Sequence, residues 1–198
     1  MEKYGGDDMN RPDRQINILM VGLLYFGFFF FAVLMHMEES VFRFPPLGLG
    51  FWPQVGLDVL IGSVVAILVV LGTHLAVRFF APMKELARDF TQMIGPLGHG
   101  DIFFLSIFSA LGEEFFFRGY IQGKIGLVFA SLIFGLLHIG PTRRFAIWTI
   151  FATGIGFLLG LIYEWRGDLF APVVAHFLIN FCNLLSLNRS SRAESPST

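Results

Sequence analysis

The chain has 198 residues, of which 55% are hydrophobic and 15% are charged, and its mean hydropathy is +0.67. Soluble domains carry roughly 25% charged residues, so this composition excludes a solvated globule and indicates a one-domain polytopic membrane protein. The net charge of -1 excludes a strongly basic nucleic-acid-binding protein, and the single cysteine, Cys182, excludes a disulfide framework.

Six apolar stretches are long enough to form transmembrane helices, which need roughly 20 residues each. The first runs from Ile16 to His36 and ends without a small-residue cleavage site, so it predicts an uncleaved anchor. The sequence therefore predicts an all-α membrane protein with about six spans. In chain order, the other five cover residues 55–80, a stretch beginning near 101, a stretch ending near 139, residues 145–163 and residues 169–187.

These spans divide the chain into a cytoplasmic N-terminal segment (1–15), a transmembrane domain (16–187) and a polar tail (188–198) that is predicted to be disordered. Between the second and third spans, apolar residues repeat at helical spacing. This pattern indicates an amphipathic connecting helix at the membrane face. Its apolar residues are Met83, Leu86, Ala87, Phe90 and Ile94.

The lysine and arginine residues predict the orientation, because cytoplasmic loops carry an excess of them. With the N-terminus inside, ten lie on the cytoplasmic side and four outside. We therefore expect an integral protein with both termini in the cytoplasm, and the compact size favours a prokaryotic plasma (inner) membrane. The outer four are Arg43, Arg118, Lys124 and Arg166, and the inner ten are Lys3, Arg11, Arg14, Arg78, Lys84, Arg88, Arg143, Arg144, Arg189 and Arg192.

Several polar side chains interrupt the apolar stretches, where ionisable residues are costly and by default indicate a site. Glu114 and Arg118 are four residues apart, so they share a helix face and can pair. Glu113 lies about 140° from Arg118 around the helix and is left facing elsewhere. His176 and Asn180 are again four residues apart in the last span.

The depths of two of these residues match. Glu113 and His138 are equidistant from a point between Ile125 and Gly126, where the sequence favours a turn. A hairpin at that point would place both side chains roughly 18 Å below its apex, at one level in the membrane. A carboxylate that faces an imidazole can activate a water, and the last span could donate hydrogen bonds to an oxyanion. A structural polar network that locks the helices together is the alternative.

Three short motifs in order resemble one family of membrane proteases. The residues 113–119 (EEFFFRG) look like its EExxxR motif, 134–138 (FGLLH) like its FxxxH motif and 176–180 (HFLIN) like its HxxxN motif. These are the motifs of the CAAX protease and bacteriocin-processing (CPBP or ABI) family, which is related to the type II CAAX prenyl endoproteases. The resemblance covers about residues 101–187.

The resemblance implies an intramembrane endopeptidase that needs no cofactor and acts on a membrane-associated protein or peptide. Glu113 would be the general base, and His138 would position the attacking water. The oxyanion hole would be formed by His176 and Asn180, and the site would be braced by Glu114 and Arg118. A prenylated CAAX tail, a bacteriocin leader and a C-terminal sorting anchor all remain open as substrates.

Zinc is the main alternative to this mechanism, because Glu113, His138 and His176 could ligate it with one open position. The chain has no HExxH motif, and Asn180 is a poor zinc ligand. A non-catalytic membrane scaffold with the same fold is a further reading.

Two other protease mechanisms find weaker support in the sequence. Residues 98–101 (GHGD) resemble the GxGD motif of intramembrane aspartyl proteases, but Asp58, the candidate partner of Asp101, is predicted at the opposite end of the membrane. A serine protease of the rhomboid type would need a GxSx-type serine, which is absent. The serines of the predicted third and fourth spans are interpreted as packing residues: Ser106, Ser109 and Ser131.

Overall fold

The structure is a computed structural model that describes the backbone of residues 11–35 and 50–194 and the side chains of residues 20–35 and 50–190. The first ten residues of the predicted N-terminal segment and the last four of the predicted tail lie outside the described residues. Within the described ranges, all regular secondary structure is helical.

Seven α-helices and one π-helical segment follow one another in the described parts of the chain. They are α1 (Arg11–Met35), α2 (Phe51–Phe79), α3 (Ala81–Ile94), α4 (His99–Glu114), the π-helical segment (Phe115–Ile121), α5 (Gln122–Leu136), α6 (Phe145–Arg166) and α7 (Phe170–Glu194).

The predicted fold class, an all-α polytopic membrane protein, is confirmed. Four helical segments of the described chain are long and apolar enough to cross a membrane, and Met20–Met35 of α1 is a shorter apolar helix. The four are Phe51–Phe79, His99–Leu136, Phe145–Arg166 and Phe170–Ser190.

The longest of these segments, His99–Leu136, is a hairpin rather than one rod. Gly126 has φ 81° and ψ 164°, a conformation that side chains with a Cβ rarely adopt, and the helix direction changes there. The two arms then pack together, since the Phe117 and Phe134 rings lie 5.0 Å apart. The apex is therefore at the turn that the sequence predicts, and we call this side of the molecule the hairpin end.

The second arm of the hairpin is short. Its helix ends at Leu136, three residues before the predicted end near 139, so residues 127–136 span only about 15 Å of an apolar layer of about 30 Å. The chain continues without helix to residue 144 and turns into α6 at Phe145. This part of the predicted fourth span is thus a partial crossing followed by a loop.

Small residues fill the interior and large apolar ones face outward. Helix α4 packs between α1 and α7, α2 packs along α7, and α5 packs along α6. Such packing is typical of membrane helices, which approach closely through small side chains. Buried positions include Ala66, Ala110, Ala130, Ala152, Ala171 and Ala175, whereas exposed ones include Leu68, Phe129, Leu137 and Ile150.

Helix α3 is the predicted amphipathic connector, and its apolar face packs on protein. Leu86 is buried, and the Phe90 ring contacts the rings of Phe145 and Trp148 at 4.9 and 5.2 Å. On the polar face, Arg144 forms ion pairs with two carboxylates of α3. An open groove of about 680 Å³ lies between α3 and the loop 141–145. We call this side of the molecule the α3 end.

Helix α7 extends beyond the predicted boundary. The sequence predicts disorder from residue 188, but the helix continues to Glu194. The buried amide of Asn188 explains part of the difference, because it accepts a hydrogen bond from the Leu97 N–H at 2.8 Å and donates one to the Leu97 C=O at 3.1 Å. This contact fastens the end of α7 to the segment that leads into α4.

Candidate active site

Three of the predicted site residues converge inside the helix bundle. The Oε2 atom of Glu113 lies 3.8 Å from Nε2 of His138 and 3.8 Å from Nε2 of His176. Both Glu113 and His176 are buried, and His138 is partly exposed. Glu113 comes from the first hairpin arm, His138 follows the second arm, and His176 lies on α7. The hairpin and α7 together therefore create the cluster.

The second glutamate of the motif faces the other way and holds the cluster in place. Glu114 is fully buried; its Oε1 atom accepts a hydrogen bond from Nδ1 of His176 at 2.7 Å and lies 3.0 Å from Nη1 of Arg118. Arg118 also donates to the carbonyl of Gly156 on α6 at 2.9 Å and lies over the Phe134 ring at 4.6 Å. One ion pair thus joins the first hairpin arm to α6 and α7.

A local turn fixes the orientation of His138. Its Nδ1 atom lies 2.7 Å from the carbonyl oxygen of Phe134, four residues earlier, and its ring packs on the Phe134 and Trp148 rings at 4.6 and 5.7 Å. The Thr149 hydroxyl donates to the His138 carbonyl at 3.4 Å. Because the helix ends at Leu136, the imidazole can turn back toward Glu113.

These contacts determine which nitrogen of each histidine carries the proton. Nδ1 of His138 faces a carbonyl and Nδ1 of His176 faces a carboxylate, so both must donate from Nδ1. In the neutral rings, the Nε2 lone pairs then point toward Glu113. The Oε2 atom of Glu113 is buried and has no hydrogen-bond partner. The centre of the site therefore presents three acceptor atoms that a proton donor would satisfy.

The amide of Asn180 lies beside this centre rather than in it. Its Nδ2 atom donates to the Ser109 hydroxyl at 2.9 Å, and that hydroxyl donates to the Ser106 carbonyl at 3.1 Å. Ser109 is one turn before Glu113, and Asn180 is one turn after His176, so the pair forms the next layer toward the α3 end. One N–H of the Asn180 amide remains available to a ligand.

A metal ion would need the three central side chains to approach one another more closely. Tetrahedral zinc with bonds of about 2.0–2.1 Å holds its ligand atoms roughly 3.3 Å apart, whereas both Nε2–Oε2 distances here are 3.8 Å. Within residues 20–35 and 50–190, no group of three or more His, Cys, Asp or Glu residues is placed to hold a metal ion. As arranged, the residues do not fit zinc.

The two aspartates of the aspartyl-protease alternative lie apart. Asp58 is buried and forms an ion pair with Arg166 near the hairpin end. Asp101 accepts a hydrogen bond from the Gly98 N–H at 3.0 Å and caps the start of α4 at the opposite end. Both residues therefore have structural partners and form no dyad.

Sequence reasoning missed two polar residues at the site. The sequence indicates a packing role for Ser109, but its position four residues before Glu113 places it on the same face of α4. Tyr25 of α1 forms a side-chain hydrogen bond with Glu113. No spacing rule connects Tyr25 to the motifs, because Tyr25 and Glu113 lie on different helices and are 88 positions apart in the sequence.

Comparison with known proteins identifies the segment that carries the site. Residues 96–182 match a family model described as type II CAAX prenyl endopeptidase Rce1-like. The uncharacterized protein YpbD of Bacillus subtilis (strain 168) is 51% identical over 81 residues, which cover 40% of this chain and 41% of that protein. The alignment thus spans less than half of either protein, and no solved structure matches the chain.

The matched segment contains all three motifs, from Glu113 through His138 to Asn180, and the helices that place them. The family resemblance drawn from those motifs is therefore confirmed. Residues 96–182 of this integral membrane protein are similar to the Rce1-like family of type II CAAX prenyl endopeptidases, and the match covers less than half of the chain.

Proposed function

We propose that this protein is an intramembrane endopeptidase that hydrolyses a peptide bond of a membrane-associated protein or peptide, using water activated by Glu113 and His138 without a metal. One observation carries the proposal. The buried Oε2 atom of Glu113 lacks a hydrogen-bond partner and lies 3.8 Å from Nε2 of both His138 and His176.

A distance of 3.8 Å is too long for a direct hydrogen bond and suits a bridging water. Such a water would donate one hydrogen to Glu113 and the other to Nε2 of His138. With both of its hydrogens donated, the water keeps a lone pair on its oxygen that can attack a carbonyl carbon. This arrangement meets the geometric requirement for a general base within reach of the proton that it removes.

The proposed reaction has two steps. In the first, the water oxygen bonds to the peptide carbonyl carbon while Glu113 takes the water proton, and the C=O electron pair moves to the carbonyl oxygen. In the second, that oxyanion collapses, the C–N bond breaks, and Glu113 returns the proton to the leaving nitrogen. The products are a carboxylic acid and an amine, and the enzyme is unchanged.

Two donors would stabilise the oxyanion. Asn180 has one amide N–H beyond its bond to Ser109. His176 already donates from Nδ1 to Glu114, so donation from Nε2 requires the doubly protonated ring. Glu114 and Arg118 would then brace the ring that carries the second donor.

A prenylated CAAX tail is the substrate that we propose first, because the matched family is described as a CAAX prenyl endopeptidase. Bacteriocin leaders and C-terminal sorting anchors are the other candidates. The partners are the substrate and the lipid bilayer. We further propose a prokaryotic plasma membrane, with both termini in the cytoplasm.

The test is cleavage of a farnesylated, fluorescence-quenched CAAX peptide by the full-length protein in nanodiscs, with a comparison of membrane peptidomes to find other substrates. The wild type should cleave the peptide, and Glu113→Gln should not. Glu164→Gln is the matched control, because this exposed carboxylate lies on α6 and bonds Gln122 away from the site. A Glu113→Gln protein that retains the cellular phenotype of the wild type would instead indicate a scaffold.

Metal dependence requires its own measurement. Activity should survive exhaustive chelation of the purified protein, and elemental analysis should find no stoichiometric zinc. Loss of activity on removal of bound zinc, with recovery when zinc is returned, would overturn the metal-free mechanism.

A further inference from the structure

Helix α1 lies outside the family-matched segment, yet it reaches the candidate base. Its Tyr25 side chain forms a hydrogen bond with the Glu113 side chain. The two helices also touch through their backbones: a Cβ added at Gly112 would lie 2.5 Å from the Tyr25 carbonyl oxygen. Only glycine permits this approach at the residue immediately before Glu113. The contact therefore depends on the place where α1 crosses α4.

Aromatic packing fixes the register of that crossing. One turn beyond Tyr25, the Phe28 ring stacks on Phe116 at 4.9 Å, and the Phe29 ring contacts Phe115 at 4.9 Å. Ala32 follows on the same face and is buried. A one-residue rotation of α1 would break these contacts, so the phenol is held toward the carboxylate by the packing of the whole helix.

The other charged and titratable groups around Glu113 act on it without a hydrogen bond. The two imidazoles lie 3.8 Å from Oε2, and Arg118 and Glu114 belong to the adjoining ion pair. Of the described side chains around Glu113, Tyr25 alone supplies a hydrogen bond. A carboxylate on a flexible side chain needs such a contact if it is to hold one orientation.

We propose that Tyr25 is a positioning residue for the base: its hydroxyl donates to the Glu113 carboxylate and keeps that carboxylate aimed at the water site between the two histidines. The role of the base rests on the proposed function. The hydrogen bond itself does not rest on it. The site would then be completed by a helix that the family match does not include.

The activity test compares two hydroxyl deletions at the α1 interface in nanodiscs, with the farnesylated peptide as probe. Tyr25→Phe should lower kcat roughly 10- to 100-fold with KM unchanged, the size of one hydrogen bond to a charged group. Tyr120→Phe is the control: its ring meets Phe31 on α1 at 5.6 Å, and its kinetics should match the wild type.

A spectroscopic test does not depend on turnover. The infrared difference between wild type and Glu113→Gln isolates the carboxyl stretching band of Glu113. In Tyr25→Phe this band should change frequency, because the carboxyl group loses a hydrogen bond, whereas in Tyr120→Phe it should match the wild type. An unchanged band in Tyr25→Phe would overturn the proposal. A shifted band in a protein that cleaves no peptide would leave the positioning contact standing and count against the proposed function.

If Tyr25→Phe fails to fold, 3-fluorotyrosine placed at position 25 preserves the packing and makes the hydroxyl a stronger donor. The Glu113 band should then shift relative to the wild type, because the hydrogen bond is stronger. An unchanged band would contradict the proposal.

Discussion

Two adjacent glutamates have different partners because consecutive residues leave a helix in directions about 100° apart. Glu114 pairs with Arg118 and His176 in a fully buried position, whereas Glu113 faces the centre of the site. We expect Glu114→Gln to lower stability by several kcal/mol, because it leaves a buried guanidinium without a counter-charge. Glu113→Gln should give a folded, inactive protein. Thermal unfolding in detergent, alongside peptide cleavage, measures both effects.

The opposite pattern would reverse these assignments. If Glu113→Gln kept near-wild-type turnover while Glu114→Gln remained folded but inactive, the second glutamate would be the base.

The candidate oxyanion donor Asn180 gives a second prediction at this scale. Asn180→Ala should slow cleavage roughly 100- to 1,000-fold, the usual effect of losing one oxyanion donor, with little change in KM. Asn188→Ala is the control, because it removes an amide of the same helix that binds Leu97 and not the site. It should lower the unfolding temperature and leave kcat close to that of the wild type. Equal kinetic effects of the two variants would argue against an oxyanion role for Asn180.

Buried Asp168 predicts a pH-dependent stability. It lies between α6 and α7, where its Oδ1 accepts the Phe170 N–H at 2.8 Å. Burial, together with the nearby negative charge of Asp58, raises the pKa of Asp168 to about 6 against the pull of Arg166. The folded state therefore binds more protons than the unfolded state between about pH 4 and 6, so this residue's contribution to stability falls as the pH rises through that range.

Asp168→Asn keeps the capping oxygen and removes the charge. The unfolding temperature of this variant minus that of the wild type should increase from pH 4 to pH 6 and then level off. A difference that stays constant with pH would show that Asp168 does not titrate in this range.

Residue spacing predicted part of the site. Four-residue intervals within helices gave the Glu114–Arg118 pair, and equal distances from the hairpin apex placed Glu113 opposite His138. Tyr25 was not predictable in this way, since its contact depends on the angle and register at which α1 crosses α4. Spacing along the chain carries no information about either quantity.

At the scale of helices, close crossings determine where α7 can hold its site residues. Helix α2 meets α7 at Gly62, where an added Cβ would lie 2.6 Å from the Ala171 carbonyl oxygen. We expect Gly62→Ala to force the helices apart and cost about 1–3 kcal/mol of stability. Gly72→Ala, on the same helix with nothing within 4 Å, is the control and should be neutral or stabilising. Thermal unfolding of both variants in one detergent provides the comparison, and equal melting temperatures would exclude a tight crossing.

Helix ends were the least predictable elements. The apolar run continues past residue 136 to Ile139, so hydropathy alone extended the fourth span, although Pro141 disfavours helix shortly afterwards. The polar composition after residue 187 predicted a tail, yet the helix continues because Asn188 binds both backbone groups of Leu97. At the end of α7 a single side chain thus outweighs the average character of its neighbours.

The ten-to-four distribution of basic residues predicts the orientation of the whole molecule. We expect Lys124, exposed next to the hairpin apex, to face away from the cytoplasm. Labelling of Lys124→Cys with a membrane-impermeant thiol reagent, in a Cys182→Ser background, tests this expectation. Arg143→Cys, exposed at the α3 end, is the control and should be labelled only from the cytoplasmic side. The reverse labelling pattern would show that the predicted orientation is wrong.

The composition predicted the helical membrane fold as a whole, because few backbone conformations form all of their hydrogen bonds within lipid. It could not predict that the fourth crossing is partial. Hydropathy measures whether a segment tolerates lipid, and it does not measure how far the segment extends through the bilayer.

The short second arm of the hairpin has a consequence for how water reaches the candidate site. Backbone that is not helical cannot face hydrocarbon, so lipid tails cannot close against the chain between Leu136 and Phe145. The membrane must thin or admit solvent on that flank, which opens onto the groove of about 680 Å³ at the α3 end. The proposed hydrolysis needs water at a site within the membrane, and the early end of α5 would leave a route for it beside His138.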